Sequence, residues 1–278
     1  MNNKKVWYIT GASKGLGLAL VKKLLGEGYR VAATSRSKET LAEAVGHVDE
    51  HHFLPLSVDL TSEASIAQSI QATNETFGSI DVVVNNAGYG IGGAVEELNE
   101  KEISDSFDVN VFAVINVIQQ ALPFMRAQRS GHIINISSIA GFAPGTGWGM
   151  YAATKYALMG LSEVLADDVK EFGINVTVVA PGAFRTQFLT KDSLVFSEKK
   201  IDDYKAVQAS HAKYASMDGN QIGDPEKAAE VFIQLAENTN PPVRLFLGSD
   251  SYKRAQAKIE TLTNEMEQWK AWSFATDF

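Results

Sequence analysis

Short continuous apolar runs alternate with amphipathic stretches along almost the whole chain. Val6-Trp7-Tyr8-Ile9 is apolar at every position, the pattern of a strand buried on both faces. The same reading predicts further strands at residues 29–34, 53–58, 80–85, 132–137, 174–180 and 243–247. Leu18 to Leu25 carries apolar residues at three- and four-residue steps, which predicts a helix. Further helices are expected at 40–45, 62–77 and 150–172. Asn99 with Glu102 has the form of a capping box and predicts one long helix running past Asn110 to about residue 126. Asp224-Pro225-Glu226 marks another start, with an N-cap aspartate and proline at the first helical position. Repeated strand–helix alternation predicts an α/β fold of three layers, a mainly seven-stranded parallel sheet doubly wound by helices on both faces.

Two segments break the alternation. Residues 139–149 are glycine-rich, and 187–223 are long, polar and mixed. Either reads as a variable surface loop; their position after strand carboxyl ends favours a pocket wall for the first and a substrate lid for the second. The tail, 249–278, predicts a helix with apolar positions at Ile259, Leu262 and Met266 and aromatics at Trp269 and Trp272. It packs on the sheet or on a partner subunit, and both stay open. The 278 residues, 45% of them hydrophobic, fit a single domain, 1–278.

The first strand runs directly into Thr10-Gly11-Ala12-Ser13-Lys14-Gly15-Leu16-Gly17 and then into the first helix. Strand, glycine-rich turn and helix is the setting a dinucleotide needs. Gly11 permits a tight turn, while Gly15 and Gly17 allow backbone to approach a pyrophosphate and the helix to pack on its strand. Free N–H groups at the helix start hold phosphates. Farther along, Tyr151 and Lys155 stand at i and i+4, on one helix face, with Ser138 at the end of the fifth strand. A Tyr-x-x-x-Lys pair recurs by chance, and alone it says little.

The spacing Gly-x-x-x-Gly-x-Gly, together with Asn85-Asn86-Ala87-Gly88, Asn110, Ser138, Tyr151, Lys155 and Pro181-Gly182, resembles the short-chain dehydrogenase/reductase family in its single-domain branch. The resemblance extends from the first strand to about Thr186 and continues more weakly beyond. It implies a Rossmann-type dinucleotide-binding domain and a nicotinamide cofactor. It also implies that Asp59, in Val58-Asp59-Leu60, meets the adenine, that Asn86, Ala87 and Gly88 form the adenosine-side loop, and that Thr186, after Pro181-Gly182, meets the nicotinamide carboxamide. For Asp59, a turn or helix-capping role ahead of Thr61 and Ser62 is equally compatible with the residues.

The second strand ends Ala32-Ala33-Thr34-Ser35-Arg36, with no carboxylate for the adenosine ribose. A guanidinium grips a 2′-phosphate with two charge-assisted bonds, and Lys14 offers a second cation from the glycine turn. The pair predicts NADP(H) over NAD(H), and in the resembled family it is a recognised signature of that preference.

A cation beside a phenol favours the phenolate. Lowering Tyr151 from near 10 to about 7 takes roughly 4 kcal/mol of differential stabilisation, and the spacing predicts Lys155 as its source. Tyr151 is then the general acid for carbonyl reduction and the base for the reverse reaction. Only one of the adjacent Ser137 and Ser138 can face Tyr151, and the resemblance implies that it is Ser138 that orients the carbonyl oxygen. By resemblance Lys155 also binds the nicotinamide ribose, and Asn110 supports a water relay. Gly90, Gly92 and Gly93 are expected to leave space beside the reacting atoms. Phe142, Trp148, Met150, Phe184 and Phe188 are candidates for an apolar pocket, Trp148 and Phe184 foremost, although core packing also suits them.

Composition removes alternatives. With no cysteine there are neither disulfides nor thiolate metal sites, and the five histidines lack zinc-ligand spacing. The net charge of −8 argues against a nucleic-acid surface. Apolar runs are strand-sized, far short of a membrane span, and Met1 to Lys5 leave no room for a signal peptide, so a cytoplasmic location is expected. The resemblance implies a homodimer or homotetramer built on the helices of Asn110 and Tyr151. The leading expectation is an NADPH-dependent reductase, reversible toward the alcohol, of a moderately hydrophobic carbonyl compound such as a ketone, an aldehyde, or a steroid-like or acyl-type molecule. A sugar-nucleotide epimerase or dehydratase needs a larger carboxyl-terminal domain and a Gly-x-x-Gly-x-x-Gly turn. A cofactor-binding sensor without turnover is the alternative from a different class.

Overall fold

A computed structural model of the chain describes residues 4–190 and 193–278. Its main sheet is built from β1 (Val6–Ile9), β2 (Arg30–Ser35), β3 (Phe53–Ser57), β4 (Val82–Asn85), β6 (Gly131–Ile136), β7 (Ile174–Pro181) and β9 (Arg244–Leu247). They lie in the order β3-β2-β1-β4-β6-β7-β9, every pair parallel. The chain winds outward from β1 to β3, then returns to β4 on the other side of β1. That reversal opens a crevice beyond the carboxyl ends of β1 and β4, where Ile9 pairs with Val84.

Strand periodicity feeds two cores. Trp7 and Ile9 point to one face, with Leu20 and Leu24 of α1 (Gly15–Gly26) and Phe232 of α8 (Pro225–Glu237). Val6 and Tyr8 point to the other, with Ile66 and Ile70 of α3 (Glu63–Phe77), Val114 and Met125 of α5 (Ala113–Gln128), and Leu158 of α6 (Gly149–Val169). Each fully buried aliphatic side chain there contributes roughly 1.5–3 kcal/mol over an exposed one. α2 (Lys38–Val45) completes the α1 layer.

The expected helix from Asn99 is two helices. The capping box forms, with Asn99 and Glu102 exchanging bonds of 2.9 and 2.8 Å, and starts α4 (Glu100–Phe107). A π-helical turn, Asp108–Phe112, then separates α4 from α5 and holds Asn110. The combined run Glu100–Gln128 is long and apolar enough, by length and composition, to cross a membrane. Strand-sized runs were all that the sequence suggested. The length arises because two helices join end to end, and α5 turns its apolar side to the sheet core.

The segment expected to be a loop carries structure. β8 (Leu194–Phe196) pairs in parallel with β5 (Gly90–Gly92), and α7 (Lys205–Ala215) follows. The glycines therefore leave no open space: a Cβ on Gly90 would stand 2.7 Å from Leu194 Cδ1, and one on Gly92 2.9 Å from Phe196. They allow a second segment to lie against the first. The tail is α9 (Ser249–Phe274), whose opening turns bury Ser251 and Ala255 while everything beyond Ile259 is exposed.

Candidate active site

The glycine turn fits beneath the end of β4 with no room for a side chain at Gly11 or Gly17. Gly11 has φ +65°, and a Cβ there would sit 2.7 Å from Ala87 Cα; one on Gly17 would sit 2.6 Å from Asn86 Nδ2. Asn86 latches the turn, donating through Nδ2 to the carbonyls of Thr10 and Gly11 at 3.0 Å each. The Thr10 hydroxyl accepts from the amides of Asn86 and Ala87 at 3.0 and 3.1 Å. Asn86 is thus committed to shaping the cradle.

One cavity of about 1200 Å³ runs along the carboxyl ends of the strands. It is lined by Gly11, Ser13, Lys14, Gly15, Leu16, Arg36, Asp59, Leu60, Asn86, Ala87, Gly88, Ser138, Trp148, Tyr151, Lys155, Pro181, Gly182, Phe184 and Thr186. Gly17 is buried in the α1 packing, and Asn110 stands behind Gly88; neither lines the cavity. At one end Arg36 is exposed and Lys14 half-buried, and neither makes an ion pair among the described residues. Asp59 Oδ1 accepts from the Thr61 amide at 2.9 Å and hydroxyl at 2.7 Å, bonds that hold its carboxyl below the usual range. The turn role read from the sequence is therefore realised, with the residue still at the cavity wall.

At the other end α6 presents Tyr151 and Lys155 on one face. Lys155 Nζ lies 5.8 Å from the centre of the Tyr151 ring and donates to the Ile136 carbonyl at 3.1 Å. The adjacent serines separate cleanly. Ser137 Oγ is buried and donates to the Lys155 carbonyl at 2.8 Å, tying α6 to β6. Ser138 Oγ accepts from the Ala140 amide at 3.1 Å, and Ser138 lines the cavity together with Tyr151. Asn110 is fully buried: its Oδ1 accepts from the Tyr89 amide at 3.0 Å, and its Nδ2 donates to the Tyr89 carbonyl and the Thr154 hydroxyl at 2.9 and 3.2 Å. Asn110 and Lys155 flank Gly88, where a Cβ would meet Oδ1 at 2.9 Å and Nζ at 3.2 Å.

The electrostatics correct one expectation. Tyr151 is pushed up to about 12, chiefly because burial disfavours the phenolate; the bond with Ser138 opposes this, and Tyr214 adds to it. Burial likewise lowers Lys155 to about 8. Desolvation dominates the phenol, and Lys155 is not among the groups that shift it, so Tyr151 stays protonated near neutrality.

Of the large apolar candidates, Trp148, Phe184 and Phe188 line the cavity; Phe142 packs at a tilt against Phe246, ring centres 5.0 Å apart, and Met150 is not in the wall. The Phe188 ring is 6.1 Å from that of Tyr151, and Trp148 packs against Tyr214 at 5.0 Å. Phe184 bridges to Gly223 and leans on the core beside α8.

Comparison with known proteins places this arrangement. A family model described as short chain dehydrogenase matches residues 5–194. The chain belongs to the short-chain dehydrogenase family. An oxidoreductase of Botryotinia fuckeliana, BOA17, is 34% identical over 273 residues, 98% of this chain and 99% of that one. A 3-ketodihydrosphingosine reductase of Bacteroides thetaiotaomicron is 36% identical over 244 residues, 88% of each chain. A short-chain dehydrogenase structure from Streptomyces avermitilis superposes with a TM-score of 0.92 at 35% identity, covering 100% of both chains. ElxO, solved with NADP bound, gives 0.75 at 26% identity over 90% of this chain and 99% of its own. The protein is thus an oxidoreductase of this family.

For this short-chain dehydrogenase the structure also brings in residues the sequence reading passed over. Tyr214, Gln221, Asp250 and Arg254 all line the cavity. They come from α7, the segment after it and α9, and no spacing in the sequence connects them to Tyr151.

Proposed function

We propose that this short-chain dehydrogenase is an NADP(H)-dependent oxidoreductase that reduces a ketone or aldehyde to the alcohol, reversibly. The observation that carries the reading is the convergence of Ser138, Tyr151 and Lys155 at one end of a cavity whose other end holds the glycine cradle, Lys14 and Arg36. The cradle, closed to any Cβ at Gly11 and Gly17, suits a pyrophosphate, and Lys14 and Arg36, without an ion-pair partner among the described residues, suit a 2′-phosphate. The nicotinamide, when bound, supplies the hydride.

The chain's own residues manage orientation and the proton. Tyr151 donates its O–H to the substrate oxygen and releases the proton as the alkoxide forms. Ser138 gives that oxygen a second bond and so fixes the carbonyl plane. Lys155, an ammonium below about pH 8, binds ribose hydroxyls and stabilises the phenolate left on Tyr151. Asn110 supports proton return by keeping the wall beside Gly88 in place. Asp59, Leu60 and Asn86 to Gly88 line the adenosine side, and Pro181, Gly182 and Thr186 the nicotinamide side. Trp148 and Phe184 flank the substrate, and 187–223 acts as the lid of the single domain. The enzyme works as a cytoplasmic homodimer or homotetramer on small molecules, without nucleic acid or membrane.

The test is oxidation of NADPH and of NADH against a panel of ketones and aldehydes, repeated with Arg36→Ala. Turnover with NADPH is expected, with the variant weakening NADPH by about tenfold and NADH little, the scale of a charge-assisted bond. Binding without turnover would favour a sensor, and equal use of both cofactors would remove the assigned role of Arg36.

A further inference from the structure

Arg254 of α9 lines the cavity with most of its guanidinium uncommitted. Its Nη2 donates to the Ala143 carbonyl, while Nε and Nη1 have no protein partner among the described residues and are not sealed from solvent. The side chain is half-buried and forms no ion pair among the described residues. A partly desolvated charge is costly unless something pairs with it, so an arginine placed here asks for an anion.

The backbone sets this cation beside the reacting end. Cα atoms of α9 come within 8 Å of those in the Ile139–Gly141 turn, which directly follows Ser138. The Ala143 amide donates to the Ile139 carbonyl at 2.7 Å. Through Ala143 the guanidinium therefore lies within roughly 9 Å of that carbonyl, one residue from Ser138. Two residues on, the same wall meets α7. A Cβ on Gly145 would stand 3.8 Å from both the Tyr214 hydroxyl and Trp148 Cδ1, and the Tyr214 and Trp148 rings are 5.0 Å apart. Trp148 caps the first turn of α6, the turn that holds Tyr151. The Tyr214 hydroxyl also has no protein partner among the described residues and is not sealed from solvent. Lys213, exposed beside it, lines the cavity as a second cation.

The nearest carboxylate on α9 does not answer this charge. Asp250 stands one turn before Arg254, but its Oδ2 accepts from the Ala183 amide at 2.8 Å. Its other oxygen is buried against Gly182, where a Cβ would stand 2.1 Å from Oδ1. What remains open is a set of donors with positive charge: Arg254 and Lys213 only donate, and the Tyr214 hydroxyl can donate beside them. A neutral polar group leaves the charge unpaired, and an ammonium is repelled. A carboxylate takes two N–H bonds of a guanidinium side by side. We propose that Arg254 is a specificity-determining residue and that the substrate is an oxo acid, a ketone or aldehyde with a carboxylate beyond an apolar spacer. This rests on the reading of the site as a carbonyl reductase, because Tyr151 and Ser138 take the carbonyl oxygen.

Binding to the NADP+-loaded protein tests it without turnover. Straight-chain methyl ketones of graded length, ending in carboxylate, carboxamide or methyl, are titrated in by calorimetry near neutral pH. At the best length the carboxylate binds at least about tenfold more tightly than the carboxamide of equal size, the scale of a charge-assisted bond, and added salt shrinks the ratio. Arg254→Gln removes the charge and keeps a side-chain donor for the Ala143 carbonyl. It brings the ratio within about threefold and leaves carboxamide affinity within about twofold. Arg254→Lys, a cation without the fork, retains an intermediate ratio. Arg254→Met reads the same contrast if the Gln variant does not fold. Equal binding of carboxylate and carboxamide by the unmodified protein, or a ratio that survives Arg254→Gln, overturns the proposal. So does an equal loss for all three ligands in Arg254→Gln, which reduces Arg254 to a brace for the loop. NADPH turnover is measured separately: an intact ratio without turnover leaves the Arg254 site standing and removes only the reaction assigned to it, and turnover without carboxylate preference does the reverse.

Discussion

A phenol buried as Tyr151 is gives up its proton reluctantly, and this sets the pH behaviour expected of the reaction. Tyr151→Phe removes the proton donor and should lower turnover by at least about 10²-fold, while NADPH affinity, measured by fluorescence, stays within about twofold. With Tyr151 pushed up to about 12 and Lys155 down to about 8, reduction draws on the protonated phenol and falls as Lys155 loses its charge above about pH 8. Oxidation requires the phenolate and rises with pH. The stability linkage has its own sign. Between about 8 and the ordinary lysine value of 10.5, the unfolded chain binds more protons than the native one, so Lys155 favours folding increasingly as pH rises through that window. Urea midpoints of the unmodified protein and Lys155→Met, compared from pH 7 upward, should diverge in the unmodified protein's favour; a constant difference would remove the burial argument. The four-residue spacing identified the pair from sequence. It did not reveal burial, the stronger influence on both groups.

The element that does most to position the site is the π-helical turn at Asp108–Phe112. Its wider loop of backbone places Asn110 between α4 and α5, where the carboxamide ties Tyr89 to Thr154. Asn110→Ala removes three hydrogen bonds and leaves the half-buried Tyr89 backbone groups without this partner. A loss of about 3 kcal/mol in urea unfolding is expected, at roughly 1 kcal/mol per bond. A change below about 1 kcal/mol would show that water replaces the side chain. The capping box at Asn99 and the proline start at Pro225 were legible because caps are local chemistry. The π turn was not, since one extra residue hardly disturbs an apolar period. β5 and β8 escaped for a related reason: each is only three residues long, and glycines occupy two of the three β5 positions. Their pairing is decided by contact between distant segments.

At the scale of the whole molecule, the parallel, doubly wound sheet followed from the glycine turn and the alternation of elements, because few topologies satisfy both, whereas its strand order was read from the structure. Assembly is less constrained, and two surfaces compete for it. Phe112, Tyr156 and Val164, exposed at 53%, 42% and 62%, lie on the π turn and α6, the helices on which a dimer or tetramer is proposed. On the outer part of α9, Ile259, Met266 and Trp272 are exposed at 51%, 72% and 73%. A pair of variants distinguishes these surfaces. Val164→Glu puts a charge into the first, and light scattering should report monomers if that interface holds the assembly. Deleting 258–278 removes side chains that bury almost nothing against the body, so the thermal midpoint should shift by no more than about 3 °C and the assembled mass should fall only by the deleted segments. Should the deletion alone yield monomers while Val164→Glu stays assembled, the copies meet through α9. The fold would then carry its active site on the sheet and its association surface on an arm that the sheet does not support.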